Sequence, residues 1–183
     1  RQGRSLVEKG LIGNNDELHA LRKKIIYLKN IEDAPSRYNR GIEFICSHFV
    51  FEHIPDLSPV LAHTYKLLSR NGISAHCIDL SDHTYQFFDR GMPFRRIYQN
   101  RMLFHLQYSD HLFKQINPRR LYVNRKPVSA YIRDAQEIGF QPWVSIDHIA
   151  KKAKVHKSLQ KKYPQNLPSE WQISHCTLTL QKE

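Results

Sequence analysis

The chain has 183 residues, of which 40% are hydrophobic and 25% charged, which is typical of one soluble globular domain with a sizeable core. Its net charge is +11, and its pI is near 9.7. Because no apolar run approaches the length of a membrane span and the polar, basic start does not resemble a signal peptide, we expect no membrane span and a cytoplasmic location.

The first elements are predicted from apolar spacing. Residues 16–25 place leucine and isoleucine at helical intervals and predict a helix, and a short β run follows at residues 25–28. A loop then leads to the apolar run at residues 42–49, which predicts a buried strand.

The stretch "DLSPVLAHTYKLLSRNG" predicts a helix with clear start and stop signals. Asp56 or Ser58 can cap its first turn, and Pro59 suits the first helical position. Asn71-Gly72 is expected to end it.

The remaining elements alternate between helix and strand. They are a strand at residues 73–80, an insertion or lid of one or two helices at 84–123, a helix at 127–140 closed by Gly139, a strand at 141–147, a basic helix at 150–163 and a strand at 171–181. This alternation predicts an α/β sheet with parallel members, in which ligands bind at the carboxyl ends of the strands. Polar residues cluster at these ends, at residues 28–33, 47–53 and 79–83.

The three cysteines, Cys46, Cys77 and Cys176, lie far apart and form no C-x-x-C pair. Each stands in an apolar stretch predicted to be a strand. We therefore expect buried, reduced thiols, as in a cytoplasmic protein. His76, inside a predicted strand, is interpreted as a core histidine.

Much of the positive charge is local, since "AKKAKVHKSLQKKYP" has six lysines and no acid. It is either a solvated basic helix or a patch for phosphate, nucleic acid or an anionic surface. Only Tyr163 offers an aromatic ring for base stacking, so recognition of single-stranded RNA is not favoured.

The segments "ICSHFVFEHIPDL", "YKLLSRNG" and "ISAHCIDL" together resemble class I S-adenosylmethionine-dependent methyltransferases of the type 11 kind. The resemblance covers roughly residues 25–183. It implies strands three to seven of a Rossmann-like methyltransferase sheet, with a helical insertion after strand five. It also implies S-adenosylmethionine as the cofactor.

Two parts of that family's pattern are missing from the printed sequence. The Gly-rich G-x-G-x-G loop is not found, and neither is the second strand, whose terminal acid holds the cofactor ribose. The chain also starts with Arg rather than Met. We expect upstream sequence to complete the domain, residues 1–183 to form one partial domain, and the 183 residues alone to bind the cofactor weakly or not at all.

The resemblance implies cofactor contacts at the ends of strands three and four. Asp33, or Glu32 beside it, would accept from the adenine amino group, and the backbone of Ala34 would meet a ring nitrogen.

Ser47 and His48 would lie beneath the sulfonium and methionine portion of the cofactor, largely through their backbone. Phe49 would sit beside the methyl group, or else belong to the core.

His83 is the candidate general base, because methyl transfer to oxygen needs the acceptor proton removed and an imidazole with a pKa near 6.5 suits that task. Asp79 or Asp82 would orient it. The alternative is a loop histidine that packs or caps.

Glu52 and His53 match the family's "EH" step. A carboxylate beside an imidazole can hold a divalent ion, but Phe49 occupies the position of the preceding acid in the metal-binding version of the motif. We therefore expect no metal, and a structural Glu–His pair.

Asn124 and Arg125 precede the penultimate helix and match an "NR" step in relatives. They are candidate substrate-binding residues. Arg125 could clamp an anionic acceptor or cap the lid.

The resulting functional hypothesis is methyl transfer from S-adenosylmethionine to a small-molecule or saccharide acceptor, to an oxygen atom. The alternative is a non-catalytic pseudo-methyltransferase, or a basic module that binds nucleic acid or a partner.

Overall fold

A computed structural model of the chain divides into two compact units, Arg1–Ala34 and Pro35–Glu183. The structure describes residues 31–83, 103–116, 123–150 and 153–182. The helix predicted at 16–25 and the strand predicted at 25–28 lie outside these residues, as does much of the predicted insertion at 84–123. In the part that is described, no helix has the length and apolarity needed to cross a membrane.

The second unit contains a mixed four-stranded sheet. Its strands are β1 (Ile42–His48), β2 (Leu68–Asp79), β3 (Phe140–Ile149) and β4 (Ile173–Lys182). Their order across the sheet is β1-β2-β4-β3. β1 and β2 are parallel, whereas β4 pairs antiparallel with both β2 and β3. The predicted α/β class is confirmed, and the carboxyl ends of β1 and β2 lie at the same edge of the sheet.

Helices connect the strands. Within the described residues, the α-helices are α1 (Ser58–Leu67), α2 (Asp110–Ile116), α3 (Val128–Ile138) and α4 (Lys157–Lys162). Short 3-10 turns occur at Ile31–Asp33, Ser36–Tyr38, Phe51–His53, Phe104–Gln107 and Glu170–Gln172. The basic helix is shorter than the predicted range of 150–163.

Local signals at the helix ends work in part as predicted. The Asp56 carboxylate accepts a hydrogen bond from the backbone N–H of Ser58 (3.1 Å), but the N-cap position of α1 is occupied by Leu57, so neither Asp56 nor Ser58 is the N-cap. Gly139 ends α3 with a left-handed φ of 105°. The prediction that Asn71-Gly72 ends α1 is wrong. The helix already stops at Leu67, and the two residues form an irregular start of β2, in which Asn71 has a φ of 62°.

One face of the sheet is buried beneath α1 and α3. The core there consists of Phe51, Leu57, Leu61, Leu68, Ile78, Leu80, Val128, Tyr131, Ala135, Phe140, Ile173, Cys176, Leu178 and Leu180. A smaller cluster joins the turn and helix segments: Leu103, Leu106, Ala130, Ala150, Leu159, Tyr163 and Trp171.

The opposite face is open among the described residues. Phe44 and Ile73 are register partners and expose 59% and 38% of their surface, and Trp143 exposes 49%. Two predictions are therefore corrected. β1 is not a buried strand, and Cys46 is exposed, because this face has no covering helix in the described part of the chain. Cys176 is buried as predicted, and all three thiols are free.

Candidate functional site

The polar residues at the carboxyl ends of β1 and β2 meet on one side of the sheet. After β1 the chain turns at Phe49, which has a left-handed φ of 56° and whose N–H donates to the Cys77 carbonyl (2.9 Å). Asp79 ends β2 and is the register partner of His175 on β4. The antiparallel pairing of β2 with β4 thus adds a histidine to the predicted cluster.

Asp79 is the centre of this cluster. Its carboxylate lies 3.1 Å from His83 Nε2 and 3.3 Å from His175 Nε2, and it accepts from the backbone N–H of Ser81 (2.8 Å). Burial raises the pKa of Asp79, but its contacts with His83 and Ser81 and the charge of His175 outweigh that effect and lower the pKa to about 2. Asp79 is therefore an anion at any pH at which the protein is expected to work.

His83 is largely buried beside this anion. Burial lowers the pKa of His83, but the contact with Asp79 and the negative charges of Asp79, Glu52 and Asp82 raise it. The net effect is a pKa above the ordinary histidine value of 6.5. Asp79 thus lies at ion-pair distance from the imidazole and favours its protonated form, without the geometry of a hydrogen bond to Nε2. These are the properties of a base that accepts a proton and holds it as an ion pair.

Glu52 is the most unusual residue near His83. It is fully buried, and among the described residues neither carboxylate oxygen has a hydrogen-bond partner. Burial raises the pKa of Glu52 to about 7, and Asp79 adds to the shift. His53 Nε2 lies 3.9 Å from the Glu52 carboxylate, and the His53 and His83 rings are 5.0 Å apart.

Glu52, His53 and His83 offer ligand atoms that all lie within 4.8 Å of one another. Sequence reasoning predicted no metal and a structural Glu–His pair. The absence of a metal stays a prediction. Three ligand atoms at this spacing are compatible with a divalent ion, whereas the contact of Asp79 with His83 occupies one of the three ligands.

The predicted cofactor residues at the end of β1 are one half-buried residue, Ser47, and two exposed ones, His48 and Phe49. The Ser47 hydroxyl is hydrogen-bonded to His76 Nδ1 (2.8 Å), so its side chain is turned toward the core. His76 is a core histidine as predicted, since it stacks on Phe51 and burial lowers its pKa to about 4. His48 and Phe49 remain on the open side with their ring centroids 3.8 Å apart.

Phe49 is 40% exposed and therefore does not belong to the core. Its ring lies 6.0 Å from that of His175, which contacts Asp79 in turn. Neighbouring side chains therefore connect Phe49, where the methyl donor is predicted to bind, through His175 and Asp79 to His83.

Asp33 and Ala34 lie in the first compact unit. Asp33 ends the Ile31–Asp33 turn, and the Ala34 N–H donates to the Ile31 carbonyl (3.1 Å). Their predicted contacts with adenine stay predictions.

Asn124 holds the Phe51–His53 turn in place. Its side-chain amide donates to the carbonyls of Phe51 (2.9 Å) and Ile54 (3.1 Å), and its Oδ1 accepts from the Tyr131 hydroxyl (2.7 Å). Its backbone N–H donates to the Glu52 carbonyl (2.6 Å). These bonds favour a positioning role, and a direct contact with substrate stays a prediction.

Arg125 fastens the end of the insertion to α3. It donates to the carbonyls of His105 (3.3 Å) and Tyr108 (2.7 Å), pairs with the Asp110 carboxylate, and stacks on Phe113 at 4.1 Å. Of the two predicted roles, these contacts favour capping the lid over clamping an acceptor.

Two histidines of the cluster were missed by sequence reasoning. His175 could be found only from the register of β4 against β2. His105 is buried, and burial lowers its pKa to about 4, while Asp82, Arg125, His83 and Asp79 act on it electrostatically. It stands on a turn whose position follows from tertiary packing, and no sequence pattern marks it.

No family model matches the sequence, and no curated protein does either. Among solved structures, a SAM-dependent methyltransferase from Archaeoglobus fulgidus is similar at 10% identity and a TM-score of 0.48, over 92% of this chain and 73% of that chain. Phosphoethanolamine N-methyltransferase 2 from Haemonchus contortus is similar at 11% identity and a TM-score of 0.42, over 79% of this chain.

The chain spans 34% of the length of that Haemonchus contortus enzyme and 40% of another of the matched structures. Activity and acceptor are therefore inferred from the residues of the site itself.

Proposed function

We propose that the protein transfers a methyl group from S-adenosylmethionine to an oxygen atom of a small-molecule or saccharide acceptor. The observation that carries this proposal is the contact between Asp79 and His83 at the carboxyl end of β2, one strand away from the exposed Phe49. A dyad of a carboxylate and an imidazole at this edge of an α/β sheet is suited to removing a proton from a bound hydroxyl.

The residues after β1 fit the methyl donor. Phe49 and His48 present aromatic surface on the open side of the sheet, and a sulfonium cation is attracted to the face of such rings. S-adenosylmethionine supplies an electrophilic methyl group when bound. By the resemblance, Asp33 or Glu32 and the backbone of Ala34 would contact the adenine.

His83 would accept the proton of an acceptor hydroxyl held beside it. Asp79 would hold the imidazole in one orientation and stabilise the imidazolium that results. Most of the acceleration would come from holding the acceptor hydroxyl in line with the methyl donor. Three free thiols agree with a cytoplasmic location.

The test is transfer of a labelled methyl group by the protein expressed from its complete gene. We expect His83→Gln to lower kcat by about 10²–10⁴-fold, the range for loss of a general base. His63→Gln, on α1, is the control and should keep the activity. An unchanged kcat in His83→Gln would refute the assignment of the base.

The rival function is a non-catalytic module that binds nucleic acid through the basic segment of α4. Such binding should weaken steeply with salt. If the complete protein binds nucleic acid in this manner and neither binds nor consumes S-adenosylmethionine, the rival function replaces the enzymatic one.

A further inference from the structure

A cavity of about 320 Å³ lies beside the Phe51–His53 turn, between α2, α4 and the segment that precedes α3. Its lining comprises Pro55, Asp110, Phe113, Lys114, Val123, Asn124, Arg125, Lys126, Leu159, Lys162 and Tyr163. This volume is at the lower end of the roughly 300–1,000 Å³ typical of small-molecule sites. The cavity is large enough for a small organic molecule and is much larger than a bare ion.

The charges of the described residues around the cavity do not balance. Arg125 is neutralised by Asp110, and Lys126 by Asp134. Among the described residues no carboxylate lies within ion-pair distance of Lys114 or Lys162, and the Lys162 ammonium lies over the Tyr163 ring (5.5 Å). In the described part of the cavity wall, two positive charges therefore have no ion-pair partner.

A dianion matches this excess. A phosphate monoester carries a charge of about −1.5 to −2 near pH 7, and lysine is a common partner of phosphate as a point charge. Part of the remaining lining is apolar, since Phe113, Leu159 and Tyr163 are buried side chains that can pack against an organic body, beside the polar residues Asn124 and Arg125. The composition of the wall thus suits a molecule with a phosphate at one end and a carbon skeleton at the other.

Asn124 connects the cavity to the turn that precedes the catalytic cluster, although neither Asp79 nor His83 is among the lining residues. Asn124 and Pro55 line the cavity, and Asn124 is bonded to the Phe51 and Glu52 carbonyls of the turn that carries His53. We propose that Lys114 and Lys162 bind the phosphate of a small phosphorylated acceptor in this cavity. The inference rests on the proposed function for the role of acceptor, but the binding site stands on its own geometry and charge.

The experiment measures binding of inorganic phosphate and of glycerol 3-phosphate to the complete protein by calorimetry, without S-adenosylmethionine and at constant chloride. The test variant is the double substitution Lys114→Gln, Lys162→Gln. The matched control is Lys157→Gln, Lys161→Gln, which removes the same charge from α4 at lysines that do not line the cavity. All four lysines are exposed, so both variants should fold.

We expect both probes to bind, glycerol 3-phosphate more tightly, with a Kd at least tenfold weaker in the cavity variant and within twofold of wild type in the control. Equal weakening in both variants would show a general basic surface and would overturn the site. If neither probe bound to the wild-type protein, the site would also be overturned. The same would follow if the protein bound a single-stranded oligonucleotide and the control variant weakened that binding as strongly as the cavity variant did. The cavity variant should bind S-adenosylmethionine as the wild type does, in a separate titration. Absence of phosphate binding by the wild type with intact cofactor binding would refute the cavity alone, whereas absence of cofactor binding by the wild type would refute the proposed function.

Discussion

Replacing Glu52 with glutamine tests how the protein tolerates a buried carboxylate beside its proposed catalytic base. Glu52 is fully buried without a hydrogen-bond partner among the described residues, and burial raises its pKa from 4.5 to about 7. A raised pKa means that the folded state binds the proton more tightly than the unfolded chain. The contribution of Glu52 to stability is thus greatest below pH 4.5 and is lost as the pH rises toward 7.

The size of the effect follows from this difference in pKa. Each pH unit between the two pKa values is worth about 1.4 kcal/mol, so ionisation of Glu52 costs the folded state about 2.5 kcal/mol between pH 5 and pH 8. Glutamine has the same shape without the charge. We therefore expect Glu52→Gln to be more stable relative to wild type at pH 8 than at pH 5 by about 2.5 kcal/mol.

The assay is urea unfolding of both proteins at pH 5, 6, 7 and 8. His76 and His105, whose pKa values are lowered to about 4 by burial, impose the opposite trend, since their contributions are lost as the pH falls. They occur in both proteins and cancel in the difference. A stability difference that stays constant from pH 5 to pH 8 would refute the reasoning, because it would mean that Glu52 ionises normally.

Three other predictions follow from the packing. Asn124→Ala removes several buried hydrogen bonds and should lower the free energy of unfolding by about 2–4 kcal/mol; a loss below 1 kcal/mol would contradict its bracing role. Leu180→Ala in the core should cost about 2–5 kcal/mol, whereas Phe44→Ala on the open face should cost under about 1 kcal/mol, and equal losses in urea unfolding would show that this face is covered. Because Asp79 engages His83, Zn²⁺ should leave the melting temperature unchanged, and a stabilisation that Glu52→Gln abolishes would establish a metal site instead.

The elements that could be predicted from the sequence are those with local causes. Apolar spacing, the hydrogen bond from Ser58 to Asp56 and the glycine at position 139 are encoded within a few residues of the helices and strands concerned. The polar residues Asp79 and His83 could be placed together because both follow one strand. The parallel pairing of β1 and β2 then adds Phe49 and the turn after it.

The features that were missed depend on pairing between distant parts of the chain. His175 reaches Asp79 only through the antiparallel register of β4, roughly a hundred residues away in sequence. The exposure of Phe44 and Cys46 depends on which face the helices cover, and an apolar run does not reveal that. The cation-rich cavity likewise combines lysines from α2 and α4, so no contiguous sequence motif predicts it.

The most direct test of the central claim is calorimetric titration of S-adenosylmethionine into the protein expressed from its complete gene. Our account predicts saturable binding with a micromolar Kd, competition by S-adenosylhomocysteine, and clear weakening by Phe49→Ala, whose ring lies exposed at the end of β1. Absence of binding by the complete protein would contradict the account and leave the non-catalytic alternative.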